Sequence, residues 1–336
     1  MTYYSNRKYQ TFNYPGFTQG GETLLTGIRP VKNDQCNYYV SGWYQYPPDS
    51  TRVDAFIYKG NFKTAGQWSV LNFPSSPGVT VTATNLYGPD NYKCDQIRVV
   101  GNYTIEQQSG AIGALYEGPL NGSGVWTTLI PSSLSTSQVL NTIAHSTNGG
   151  LVVGNYDTLL IQGKAFIYDI KTKKYTNIVK EGAKSITAYG IWHNGGTDYT
   201  IAGGYTNLNH ETGVDSAYLV DYNSCSHKFT NWRSYNFGND PIKSIVTHFD
   251  GITSDGCGGY YLTGDYIDVL DPDTDVAFFA HVKRDKCGNF GKAKWEQVHY
   301  PGSQVTSGNS VANKIVIGVY KLEGDDSIYG YVSNEN

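Results

Sequence analysis

The sequence predicts an all-β chain: a six-bladed β-propeller whose ring is closed by pairing the N-terminal strand with the C-terminal blade. Three observations predict it. One short motif recurs six times at blade-sized intervals, the last repeat is incomplete, and the piece it lacks stands at the start of the chain.

The motif is a glycine followed two residues later by tyrosine, after an apolar run. Its instances are Gly42-Trp43-Tyr44, Gly101-Asn102-Tyr103, Gly154-Asn155-Tyr156, Gly203-Gly204-Tyr205, Gly264-Asp265-Tyr266 and Gly318-Val319-Tyr320. Successive glycines lie 59, 53, 49, 61 and 54 residues apart. A fixed period of this size is the mark of a repeat architecture. A second anchor follows each glycine, as in Ala55-Phe56-Ile57-Tyr58 and Ala165-Phe166-Ile167-Tyr168. A third is an aromatic opening a short strand: Trp68, Trp126, Tyr175, Trp232 and Trp295. The sixth repeat ends before its third anchor. Tyr9-Gln10-Thr11-Phe12-Asn13-Tyr14-Pro15-Gly16 resembles Trp295 to Gly302 and supplies it. A four-stranded sheet cannot bury both faces alone, so blades pack face to face around an axis. The expected blades are 18–73, 76–131, 135–179, 183–237, 241–300, and 304–336 closed by 1–16. A seven-bladed ring or a pair of β-sandwiches does not explain the circular spacing.

Composition agrees with strands and turns. The chain has 39 Gly, 29 Tyr and a single Met, and 16% of its residues are charged. Aromatic and β-branched side chains fill pleated surfaces. A net charge of −4 gives no broad attraction to nucleic acid or anionic lipid. No apolar run reaches the roughly 18 residues of a membrane helix. The start, Met1-Thr2-Tyr3-Tyr4-Ser5, lacks the basic and apolar segments of a signal peptide.

Segments such as Tyr175-Thr176-Asn177-Ile178, Ala188-Tyr189-Gly190-Ile191 and Ile201-Ala202-Gly203-Gly204-Tyr205 resemble bacterial extracellular proteins with HAF-type propeller repeats. The resemblance covers nearly the whole chain. It implies the fold and a secreted or cell-surface role, and brings no catalytic residue with it.

Innermost strands are expected near residues 23–29, 81–87, 139–145, 185–193, 245–253 and 304–312. Arg29, His145, Trp192, His193, His248 and Asp250 lie in or beside them and are the channel or ligand candidates. A histidine there works as acid, base or ligand near neutral pH. Trp43, Tyr46, Tyr87 and Tyr92 are aromatic loop candidates, flat platforms with polar edges. Asp271, Asp273 and Asp275 alternate as Ca²⁺ ligands do, though Val276 and Val282 break the EF-hand pattern. No other cofactor is called for. Among the five cysteines, Cys225, Cys257 and Cys287 are the disulfide candidates, set in turns expected at one end of neighbouring blades.

No phosphate-binding loop, His-Glu-x-x-His motif or nucleophile elbow is present. The expected function is therefore a non-catalytic binding or scaffolding propeller that holds a partner protein or glycan through its loops. The alternatives are a hydrolase or lyase using Asp250, His193 or His248, and a structural or assembly subunit.

Overall fold

A computed structural model of the chain describes residues 7–45, 52–160, 163–207, 215–240 and 242–335. These fall into two compact units, one of Phe12–Ile178 with Asp326–Gly330, the other of Met1–Thr11, Val179–Asp325 and Tyr331–Asn336.

The chain begins with β1 (Arg7–Thr11), a strand of the second unit. Three four-stranded antiparallel sheets make the first unit. They are β2 (Glu22–Val31), β3 (Asp34–Gln45), β4 (Asp54–Gly60) and β5 (Gln67–Val70); then β6 (Val81–Asn91), β7 (Gln96–Ile105), β8 (Gln108–Pro119) and β9 (Val125–Leu129). The third holds β10 (Val139–Asn148), β11 (Leu151–Thr158), β12 (Lys164–Asp169) and β13 (Lys174–Ile178).

The second unit holds a fourth such sheet: β14 (Ala183–Gly195), β15 (Asp198–Asn207), β16 (Asp215–Asn223) and β17 (Lys228–Tyr235). Its remaining strands are β18 (Ser244–Ser254), β19 (Tyr260–Asp268), β20 (Asp271–Arg284), β21 (Phe290–Val298), β22 (Ser303–Ala312), β23 (Ile315–Leu322) and β24 (Tyr329–Glu335). With β1 they form a single eight-stranded mixed sheet.

This corrects the expected architecture. The fold is all-β and of the β-propeller class, but it has four separate blades and one mixed sheet, not a closed six-bladed ring. The reason lies in β20, which at 14 residues is the longest strand. Its leading part runs parallel to β22, and the bridge Val276↔Thr306 fuses two runs that the sequence presents as separate blades. The terminal strands themselves pair antiparallel, from Arg7↔Glu335 to Thr11↔Tyr331.

The recurring glycines have a common physical cause. In each of the six first strands the register slips beside the glycine, leaving one extra residue on that strand (in β6 two residues face one). Such β-bulges bend a strand and re-aim a side chain. The bend presses a carbonyl onto the glycine's α-carbon. A Cβ at Gly42, Gly101, Gly154, Gly203, Gly264 or Gly318 would overlap the carbonyl oxygen of Leu24, Asn85, Ile143, Thr187, His248 or Ser307.

The tyrosine two residues on is buried in every case. Four of the six stack on an aromatic that precedes the first strand. Tyr14 on Tyr44, Phe73 on Tyr103, Phe237 on Tyr266 and Tyr300 on Tyr320 have ring centroids 3.6–3.9 Å apart and planes within 10°. In each, a buried threonine of that strand accepts the aromatic's backbone N–H, as Thr247 does from Phe237 at 3.1 Å. Stack and hydrogen bond together set where these four first strands begin.

Candidate functional site

The slip in β18 falls between Phe249 and Gly251, so Asp250 is its extra residue. Its carboxylate accepts the Nδ1–H of His248 at 2.9 Å. Across the ladder, His248 is paired with Asp265 of β19. Asp265 is fixed in turn by β22: Ser307 Oγ donates to Oδ2 at 2.6 Å and the Gly308 N–H donates to Oδ1 at 2.7 Å. Asp275, near the start of β20, acts on the same group of charges. The Tyr189 ring, at the slip of β14, lies 5.7 Å from that of His248.

The group is only partly open to water. The His248 and Asp250 side chains are 27% and 16% exposed, whereas Asp265 is buried. Burial disfavours charge, and neighbours then decide which groups keep it. For His248, burial opposes the charged ring, but Asp250, Asp265 and Asp275 outweigh it and push the pKa up to about 10. Burial raises Asp250, against the pull of His248. Burial and then Asp250 push Asp265 up to about 6, against His248 and its two hydrogen bonds. Burial and then Asp265 push Asp275 up to about 7. Near neutral pH the site therefore contains an imidazolium beside carboxyl groups that titrate close to that pH, Asp265 at about 6 and Asp275 at about 7. A base and an acid side by side are the requirement for general acid–base chemistry.

The donor atoms of His248, Asp250 and Asp265 lie within 4.8 Å of one another. They are engaged with each other and with Ser307 and Gly308. That engagement suits proton sharing.

A second feature of the same unit is a cavity of about 630 Å³ at the ends of four hairpins. Trp192, His193, Asp198, Asp221, Tyr260 and Arg284 are among its lining. At its floor Arg284 makes a bidentate pair with Asp221, at 2.8 and 2.6 Å.

The sequence candidates thus separate. His248 and Asp250 meet in the acid–base group; Trp192 and His193 line the cavity, where His193 Nε2–H donates to the Gly196 carbonyl at 3.1 Å. Arg29 and His145 belong to the first unit. Arg29 is buried and its Nε donates to the Pro89 carbonyl. His145 accepts from Asn155 Nδ2 at 3.1 Å, and burial pushes its ring down to about 3. Tyr87 packs against it at 5.0 Å, and burial pushes the Tyr87 hydroxyl up to about 12. Tyr92 lies beneath Lys93 and Arg98, a cation–π contact instead of a free platform. Trp43 is half-buried in β3, and Tyr46 lies outside the described residues.

Of the Ca²⁺ candidates, Asp271 is exposed at the start of β20, and Asp275 belongs electrostatically to the His248 group. The side chain of Asp273 lies outside the described residues. The disulfide expectation is corrected: Cys225, Cys257 and Cys287, like Cys36 and Cys94, are free and exposed. The three turns do fall at the cavity, beside its lining residues Asn223, Gly256, Gly258 and Gly288. Their thiols face water and not one another.

Asp265, Asp221 and Arg284 were not singled out from sequence. Asp265 had a readable signal, being the only charged residue at the middle position of the six Gly-x-Tyr motifs.

No protein-family model and no curated protein matches the chain. Among solved structures it is similar to the GH43 endo-arabinanase from Bacillus licheniformis, at 15% identity over 85% of this chain and 100% of that one, with a TM-score of 0.40. An exo-β-1,3-galactanase from Clostridium thermocellum shares 12% identity over 94% of this chain and 73% of that one, with a TM-score of 0.42. A mutant levansucrase from Bacillus subtilis shares 8% over 95% and 93%, with a TM-score of 0.41.

Proposed function

We propose that the chain is an acid–base hydrolase acting at the His248–Asp250–Asp265–Asp275 group, with a glycosidic bond as the bond broken. The expectation of a non-catalytic binding or scaffolding module is corrected. It rested on the lack of any convergent acid, base or nucleophile, and such a set is present. The similar structures, too, include an endo-arabinanase and an exo-galactanase.

The observation that carries the reading is the His248–Asp250 pair at 2.9 Å beside two carboxyl groups with raised pKa values. Glycosidic bonds are broken by two carboxyl groups of unequal pKa, one giving a proton to the leaving oxygen and one serving as base or nucleophile. Asp250 is the base, oriented by the imidazolium of His248. Asp265, held as a carboxylate by Ser307 and Gly308, keeps a proton on Asp275, the acid. The water that enters loses a proton to Asp250 and gives its hydroxyl to the sugar carbon as the glycosidic C–O bond breaks, and the leaving oxygen takes the proton from Asp275.

The test is release of 4-nitrophenol from aryl glycosides of pentoses and hexoses, and of reducing ends from polysaccharides. Asp250→Asn and Asp275→Asn should each lower kcat by about 10²–10⁴-fold in folded protein. Because the acid must hold its proton, activity should fall as pH rises through about 7. Absence of turnover across the panel, or full activity in both variants, would overturn the reading.

A further inference from the structure

We infer that the cavity of the second unit is a separate binding site for a neutral sugar ring. Its volume of about 630 Å³ falls inside the roughly 300–1,000 Å³ usual for small-molecule sites. It does not depend on the hydrolase reading. Ser254, at the cavity, lies six positions along β18 from His248, about 20 Å on an extended strand.

The floor is polar but saturated. Arg284 Nη1 donates to Asp221 Oδ2 at 2.8 Å and to the Gly288 carbonyl at 2.6 Å. Nη2 donates to Asp221 Oδ1 at 2.6 Å and contacts the hydroxyls of Thr200 and Tyr260, each at 3.1 Å. Phe290 packs beneath the guanidinium, 4.1 Å from ring centroid to Cζ. With both terminal nitrogens committed and its charge matched by Asp221, this arginine offers no open fork to phosphate or carboxylate. Such a closed network is also rigid, so the floor is formed before any ligand arrives.

The walls offer the complementary pair of surfaces. Trp192 packs against the buried cluster that includes Ile252 and Leu262 while lining the cavity, which fixes its ring. A fixed indole presents a flat apolar face, suited to the C–H face of a sugar. The rim supplies acceptors. Asp198 receives the Asn223 amide on Oδ1 at 2.7 Å, which leaves Oδ2. Asn231 gives its amide to Asp221 at 2.8 Å, which leaves its carbonyl oxygen. Gly256, Gly258 and Gly288 edge the opening, and a Cβ on any of them would meet nothing within 4 Å. A ligand rich in hydroxyl donors with one apolar face matches these walls; an anion does not.

The probes are cellobiose, lactose and xylobiose, followed by tryptophan fluorescence and calorimetry, with glucuronic acid and glucosamine as charged comparators. At least one neutral probe should saturate. Trp192→Ala should weaken it about tenfold, Trp192→Phe should keep part of the affinity, and Asp198→Ala, at the exposed rim, should weaken it several-fold. Asp250→Asn should bind as the native chain does, which separates this site from the acid–base group. The inference is overturned if no neutral probe saturates at tens of millimolar, or if folded Trp192→Ala and Asp198→Ala both bind unchanged. Binding of glucuronic acid or glucosamine more tightly than any neutral probe would overturn it as well, as would loss of binding in Asp250→Asn.

Discussion

Replacing Asp250 by Asn separates the two forces that act on His248. His145 shows burial dominating, which takes its pKa from 6.5 down to about 3. His248 experiences burial too, yet the carboxylates around it push it up to about 10. Removing the nearest charge should therefore drop the His248 midpoint by at least about two pH units, towards or below 6.5. The assay is two-dimensional NMR of the imidazole nitrogens from pH 3 to 10, where native His248 should stay charged at pH 8 and His145 should stay neutral at pH 5.

The same pair sets a stability slope. His248 has a folded-state pKa above its unfolded value, so its contribution is complete below pH 6.5 and is lost as pH rises through about 10. Moving a histidine from 6.5 to about 10, at 1.36 kcal/mol per tenfold, corresponds to at most about 5 kcal/mol. Partial exposure of both side chains brings this to roughly 2–4 kcal/mol. Urea denaturation should find Asp250→Asn less stable by part of that amount at pH 6, because Asp265 and Asp275 also raise His248 and burial raises Asp250 itself, and the gap should narrow towards pH 10. A native His248 that titrates near 6.5, or a midpoint unmoved in the variant, would refute the reasoning.

Three further outcomes follow from the fold. All five cysteines are exposed, so folded protein should react with five equivalents of an aromatic disulfide reagent as fast as unfolded protein does. Gly264→Ala drives a methyl into the His248 carbonyl and should cost roughly 2–4 kcal/mol in thermal or urea denaturation, whereas Gly256→Ala, with open space but a positive φ of 77°, should cost about 1 kcal/mol. Arg7→Ala strips Glu296 of a 2.7 Å partner and empties a fully buried position over the Phe279 ring. It should cost roughly 3–5 kcal/mol, seen as a lower urea midpoint.

Much of this fold is readable in the sequence because its repeat is enforced by sterics. A glycine is required wherever a bulged neighbour pushes a carbonyl at it, and a tyrosine where an aromatic waits to stack, as with Phe237 and Tyr266. The fusion of two blades is not readable, since it turns on one backbone bridge between Val276 and Thr306 that no side-chain pattern encodes. His248 and Asp250 are visible as polar residues on a first strand. Asp265 is legible as the one charged residue at the middle of the six Gly-x-Tyr motifs, whereas Asp221 and Arg284 are hidden by distance: the cavity gathers the ends of four hairpins, and their spacing in sequence carries no sign that they converge. The thiols show the converse, because shared placement at one set of turns does not aim two sulfurs at each other.

The bulge also explains why chemistry collects where it does. Three positions meet at each one: the extra residue, the residue two before it, and that residue's partner at the middle of Gly-x-Tyr. In five sheet segments they read Thr26, Leu24 and Trp43; Tyr87, Asn85 and Asn102; His145, Ile143 and Asn155; Tyr189, Thr187 and Gly204; and Asn309, Ser307 and Val319. The backbone is alike while the side chains range from glycine to tryptophan, so the fold fixes these positions without choosing their chemistry. Only beside Gly264 are all three titratable, as Asp250, His248 and Asp265. Asn309 occupies in the next segment the place that Asp250 holds here, so Asp250→Asn puts in β18 a residue the same bulge already accepts. That variant should therefore remain folded while losing its acid–base chemistry, and a loss of both together would mean that the charges hold the bulge in place.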